Sequence, residues 1–201
     1  TIYSFRAQIF SATFGGEIEE GIIVPQQAER AKLYVDTCLE SIVLQGVNIL
    51  SAQGGYIELP LNEVPTLINP FGNALDLFGT GSGQVAYWFT ETASGVQKSQ
   101  MPTKEQMETA LATYIDNNVQ SCINDFRPLR NQGYAFTEEL PRSRVAINEE
   151  NIIVQTDYKI TMQKDDFSFT FERFRKTIKT ELGKMYQTAV QIMQKEGTDY
   201  C

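Results

Sequence analysis

The chain contains no histidine. That removes the side chain most used as a general base near neutral pH, the commonest zinc ligand and the usual pH switch. A Ser-His-Asp or Cys-His mechanism therefore has no base to work with. Cysteine is scarce, with three in 201 residues and none in Cys-x-x-Cys spacing, so neither a zinc site nor any other metal or cofactor is expected. No run of about 18 or more apolar residues occurs, and no membrane-spanning segment is expected within the chain. The sequence opens at Thr1 rather than methionine. An export signal or anchor would precede it, and membrane attachment is expected only through such a segment.

Cationic excess is also missing. With 25 acidic and 17 basic residues the formal charge is −8, which repels a phosphate backbone or an anionic membrane face. Nucleic acid is not an expected partner. The balance of 42% hydrophobic and 21% charged residues is that of a globular chain. One α+β domain over 1–201 is expected.

The patterning supports three amphipathic helices. After Pro25, residues 26–52 place Ala28, Ala31, Val35, Cys38, Leu39, Ile42, Val43, Val47 and Leu50 on one face. Gly54-Gly55 stops this helix. Pro102-Thr103-Lys104-Glu105-Gln106 has the form of a capping box and opens a second helix over 103–126. Its apolar face carries Met107, Leu111, Tyr114, Ile115, Val119, Cys122, Ile123 and Phe126. A third helix is expected over 174–196, with Ile178, Leu182, Met185, Tyr186, Ala189, Val190 and Met193 inward and Gly197 at its end.

Between the second and third helices the period changes from helical to two. Val145 and Ile147, then Ile152, Val154, Tyr158, Ile160 and Met162, then Phe167, Phe169 and Phe171 alternate with polar neighbours. Turns at 148–151 and 164–166 make this an antiparallel three-stranded meander over about 143–173. Short strands are also expected at 56–59 and 85–89, and a loop over 61–83. The fold class is thus α+β, with helices on an antiparallel sheet.

Cys38 and Cys122 each lie on an apolar helix stripe. They are either bridged, which suits an oxidising compartment, or two buried thiols acting as small hydrophobes. With no metal constellation competing for them, the bridge is favoured, and Cys201 is left to stay free or to link two chains.

Gln53, Tyr56, Tyr87 and Trp88 form either core or an aromatic binding platform. Ile2, Tyr3, Phe5, Ile9 and Phe10 read as a strand, either internal or donated to a neighbouring subunit. Gly79-Thr80-Gly81-Ser82-Gly83 lacks the Lys-Ser/Thr ending of a phosphate loop. Glu17, Glu19, Glu20 and Asp165-Asp166 lack the alternating spacing of a calcium loop. Thr1 has the chemistry of an N-terminal nucleophile but no supporting pattern. No two acids are singled out as a hydrolytic pair.

Tyr34-Val35-x-x-Cys38, then Gln53-Gly54-Gly55-Tyr56-Ile57, Tyr87-Trp88, Pro102, Met107-Glu108, Tyr114-Ile115 and Cys122, together resemble a group of archaeal surface proteins. Those are tethered by one N-terminal hydrophobic segment and have no assigned activity. The resemblance covers about residues 30–165. It implies an extracytoplasmic location and a Cys38–Cys122 pairing. The chain departs from the group in lacking the tether, as a processed ectodomain would.

These observations lead to the expectation of a non-enzymatic module of a cell surface. It would work by contacts with protein partners or with copies of itself, including as a filament subunit. A ligand- or carbohydrate-binding sensor domain is the alternative, and a histidine-free hydrolase stands behind both.

Overall fold

The first long helix, α1 (Gln26–Ala52), starts where Pro25 fixes φ near the helical value and offers its carbonyl to the N–H groups of Ala28 and Glu29 at 2.8 and 3.2 Å. It ends in a left-handed glycine cap. Gly54 adopts φ +70°, and the Gly55 N–H returns to the Leu50 carbonyl at 2.7 Å.

The computed structural model describes residues 24–60, 72–79, 83–92 and 94–199. The proposed donor strand, Thr1, the acidic group Glu17, Glu19 and Glu20, and Cys201 lie outside them, as does the middle of the Gly79–Gly83 segment. The sequence reading treats 1–201 as one domain, whereas the chain divides within α1 into Thr1–Arg30 and Ala31–Cys201. Of the first unit, residues 24–30 are described, and they form the entry and first turn of α1.

By length and composition α1 is able to cross a membrane, which the search for unbroken apolar runs missed. Its packing is that of a core helix. Val35, Leu39, Ile42, Val43, Val47 and Leu50 are buried, and Cys38 is joined to Cys122 by a disulfide.

Among the described residues four three-residue strands follow: β1 (Ala74–Asp76) pairs with β2 (Gln84–Ala86), and β3 (Phe89–Glu91) with β4 (Gln97–Ser99), both antiparallel. Three expectations are corrected here. Residues 56–59 form bends rather than a strand, because the two positive-φ glycines before them turn the chain. The run at 85–89 is broken at Tyr87-Trp88, where the chain leaves one hairpin and enters the other. β1 also falls inside the stretch read as loop.

The second helix, α2 (Lys104–Ile123), has the expected capping box. Thr103 Oγ1 accepts from the Gln106 N–H at 3.2 Å, and Gln106 Oε1 accepts from the Thr103 N–H at 2.8 Å. Met107, Leu111, Ile115, Val119 and Ile123 are buried along one side. The two helices run antiparallel. Cys38 meets Cys122 at one level, and at the other Gly46 lies against Leu111 and Tyr114.

Asn124, Asp125 and Phe126 all take left-handed φ values of 47°, 53° and 51°. This costs energy for non-glycine residues, and the neighbours hold it in place. Phe126 stacks on Phe136 at 4.1 Å, and Arg130 bonds the Asp125 carboxylate at 2.8 Å. The reversal leads through the short α3 (Arg127–Arg130) into β5 (Ala135–Glu138), a strand that the sequence reading lacks.

The sheet is built on β7 (Asn151–Lys164), whose alternating residues Ile152, Val154, Thr156, Tyr158, Ile160 and Met162 are buried. β8 (Phe167–Lys179) pairs along one edge of it. On the other edge β6 (Arg142–Ile147) and β5 lie end to end, β6 against residues 152–157 and β5 against 160–163. A bulge interrupts the β7–β8 register, so that Tyr158 and Lys159 oppose the single Glu172.

That bulge explains the largest error in the sequence reading. It shifts the inward phase of β8, so Phe171, Phe174 and Ile178 are all buried. Their spacings of three and four imitate a helix. The strand therefore runs to Lys179, and the last helix, α4, is Leu182–Asp199 rather than 174–196, passing through Gly197. Met185, expected inward, is 53% exposed. Gly183 seats α4 on the β6–β7 turn, where an added Cβ would stand 2.1 Å from the Asn148 carbonyl oxygen.

Candidate functional site

The aromatic residues singled out from sequence are brought into one network, but they do not form one open platform. Trp88 Nε1 donates to the Gly54 carbonyl at 2.7 Å, and the indole ring meets Tyr186 edge-on at 6.0 Å. Tyr186 in turn donates to the Pro102 carbonyl at 2.8 Å. The Tyr56 hydroxyl donates to the Gln100 carbonyl, while Gln100 Nε2 donates to the carbonyls of Tyr87 and of Asn73, the latter at 2.8 Å. With its amide nitrogen turned to the backbone, Gln53 donates to the Ile57 carbonyl at 3.0 Å. Burial pushes the Tyr56 phenol above its ordinary pKa, and burial with nearby Glu105 does the same for Tyr186. The polar ends of these rings thus fasten the end of α1 to the hairpins and to the start of α2.

Of the four platform residues Tyr56 borders the cleft that follows. A cleft of about 510 Å³ runs beside α2, with Tyr56, Ile57 and Glu58 on one side and Gln106, Asn117 and Asn118 among the residues on the other. Tyr87 and Trp88 do not line it.

The acids with raised proton affinity lie elsewhere. Glu108 interrupts the apolar stripe of α2 and is only 6% exposed. Its Oε1 accepts from the Ile147 N–H at 2.8 Å, with Lys104 Nζ 3.9 Å away. Desolvation by burial raises its pKa, against the lowering effects of that amide and of Lys104. Two turns along, Asp116 is raised by burial and is bonded by the Ser143 side chain and backbone. Ser143 also bonds Thr156 across the strands at 2.9 Å. Both acids face the edge of β6 that does not pair with β7, supplying acceptors to a strand edge that would otherwise be open. They are separated by ~12 Å along the helix and neither lines the cleft.

Tyr158, fully buried, donates its hydroxyl to Glu138, and its pKa is driven far above the ordinary value by burial and by that carboxylate. Among the described residues no group of three or more Cys, Asp and Glu stands close enough to hold a metal ion.

The outer face of the sheet has a different character. The register sets Arg142 and Arg144 of β6 beside Asp157 and Gln155 of β7, and these beside Arg173 and Arg175 of β8. All four arginines are exposed. Asp157 holds two of them, Arg144 at 2.7 Å and Arg173 at 2.6 Å. Such exposed pairs contribute little to stability, roughly 0–1 kcal/mol each. What they do is fix the guanidinium planes in place.

No family model, curated protein or solved structure matches the chain.

Proposed function

We propose that this protein is a non-enzymatic, extracytoplasmic module of a cell surface that works through protein contacts, including contacts with further copies of itself. The observation that carries the reading is the four-arginine face of the sheet on a chain of net charge −8. With four cations gathered on one surface, the remainder of the chain is more acidic than its average. The arginine face of one copy can thus meet carboxylates carried elsewhere on another. Arginine is the favoured residue for such contacts because its planar fork pairs with carboxylates in two places at once. A contact between unlike faces is head-to-tail and propagates into rings or open filaments.

The Cys38–Cys122 disulfide supports the proposed location, since such bonds persist in oxidising compartments. The buried acids described above are occupied with the β6 edge, and Tyr158 with Glu138, so their perturbed proton affinities have a structural account.

The test is sedimentation velocity of the whole chain at low salt and at about 0.5 M salt, where screening reaches within a few ångströms. Association at low salt, lost at high salt and in Arg144→Glu/Arg175→Glu, is the expected result. A monomer at every concentration and salt would refute self-association. Labelling of intact source cells with a membrane-impermeant amine reagent tests the location. Modification of the protein only after lysis would refute it.

A further inference from the structure

The cleft beside α2 is lined by polar side chains whose structural bonds use only part of their hydrogen-bonding capacity. Its α2 wall runs from Gln106 to Asn118, about 18 Å of helix. Along that wall stand three carboxamides (Gln106, Asn117 and Asn118), the Thr113 hydroxyl and the Tyr114 ring, with no charged group among them. Glu58 is the single charged lining residue. The volume of about 510 Å³ lies within the range of small-molecule sites.

Among the described residues the hydrogen-bonding capacity left over is specific. Asn118 Nδ2 donates to the Tyr114 carbonyl at 2.7 Å, which leaves its Oδ1 as a free acceptor. Gln106 Oε1 is occupied by the Thr103 N–H, which leaves its NH₂ as a free donor. Asn117 has both ends of its carboxamide open, and Glu58 has no ion-pair partner among the described residues. Unused donors and acceptors therefore share one wall with the Tyr114 ring, facing Tyr56 across the cleft.

Vicinal hydroxyls, each both donor and acceptor, match this mixture of donors and acceptors, and the C–H face of a pyranose matches the rings. An anion meets Glu58 and a chain of net charge −8. A cation finds only one carboxylate. An extended peptide recognised by strand addition needs a free strand edge, and the walls here are a helix and a turn.

We propose that the cleft between α2 and the turn at 55–58 binds a neutral saccharide. Asn117, Asn118 and Gln106 bond the ring hydroxyls, and Tyr114 lies against the sugar's apolar face. This goes beyond the proposed surface role and does not rest on it, since the cleft and the arginine face share no residue.

The test is amide chemical-shift mapping on the ¹⁵N-labelled whole chain with maltotriose, mannotriose and triacetylchitotriose, and with anionic sialyllactose. Each is taken to about 20 mM, enough to occupy a millimolar site. The expected result is saturable shifts at Ile57, Glu58, Gln106 and Asn117 with at least one neutral sugar, and affinity lowered about fivefold or more in Asn117→Ala. Gln187→Ala, on α4 and away from the cleft, is expected to bind as the parent does. No shifts with any of the three neutral sugars, shifts confined to other surfaces, tighter binding of sialyllactose, or unchanged affinity in Asn117→Ala would each overturn the assignment.

Discussion

Removing the Glu108 carboxylate separates two effects that the structure superimposes at one atom. Glu108 Oε1 is the acceptor for the buried Ile147 N–H on the open edge of β6. Glu108→Leu keeps an apolar helix stripe but leaves that amide unpaired, which costs about 1–3 kcal/mol. Glu108→Gln retains an acceptor oxygen and discards the buried charge. It is expected to lie within about 1 kcal/mol of the parent at neutral pH.

The pH dependence follows from the direction of the shift. Because burial raises the folded-state pKa, the folded chain binds the proton more tightly than the unfolded one. The resulting contribution is complete below the ordinary glutamate pKa and is lost as pH rises through the raised value. Urea unfolding from mildly acidic to neutral pH measures this. The stability of the parent relative to Glu108→Gln is expected to be greatest at the acid end and to decline towards neutrality. Parallel pH profiles for the two, or equal stability of the leucine and glutamine variants, would refute the edge-capping account.

Three further outcomes follow from the fold. Replacing both Cys38 and Cys122 by alanine releases an 84-residue separation and is expected to cost about 4.5 kcal/mol in the chain-entropy model; a loss below about 1 kcal/mol in urea unfolding would contradict it. Gly183→Ala, which raises helix propensity, is nevertheless expected to destabilise by about 1–3 kcal/mol, because the new Cβ meets the Asn148 carbonyl; equal or higher stability would contradict the seating of α4. Trp88→Phe removes the bond to the Gly54 carbonyl and is expected to cost about 1–3 kcal/mol in thermal or urea unfolding, and no measurable change would show that the bond does not hold the turn.

Much of the helical framework was legible because its end signals are local. Pro25, Gly54-Gly55 and the Thr103–Gln106 box act within a few residues of themselves. The meander was legible from alternation until the bulge at Tyr158 changed the phase of β8 and disguised Phe174 and Ile178 as helical. No single-strand pattern carries that information, since a bulge is a property of two paired strands. β5 was missed because four residues carry too little periodicity, and its place is set by Phe136 stacking on Phe126.

At the candidate site, Tyr56 was picked out, but the carboxamide row of α2 looked like any solvated face. Only the apposition of the 55–58 turn makes it a wall. Glu108 had left a signal, a charge at a stripe position shared with Leu111 and Ile115, and that local inconsistency marks a residue with a specific partner.

Both the proposed compartment and the proposed surface role depend on the Cys38–Cys122 bond existing where the protein works. Cells of the natural source, quenched in acid and alkylated before lysis, then digested without reduction, test it by mass spectrometry. The account predicts a linked peptide pair carrying Cys38 and Cys122. Recovery of both cysteines as alkylated thiols would contradict it.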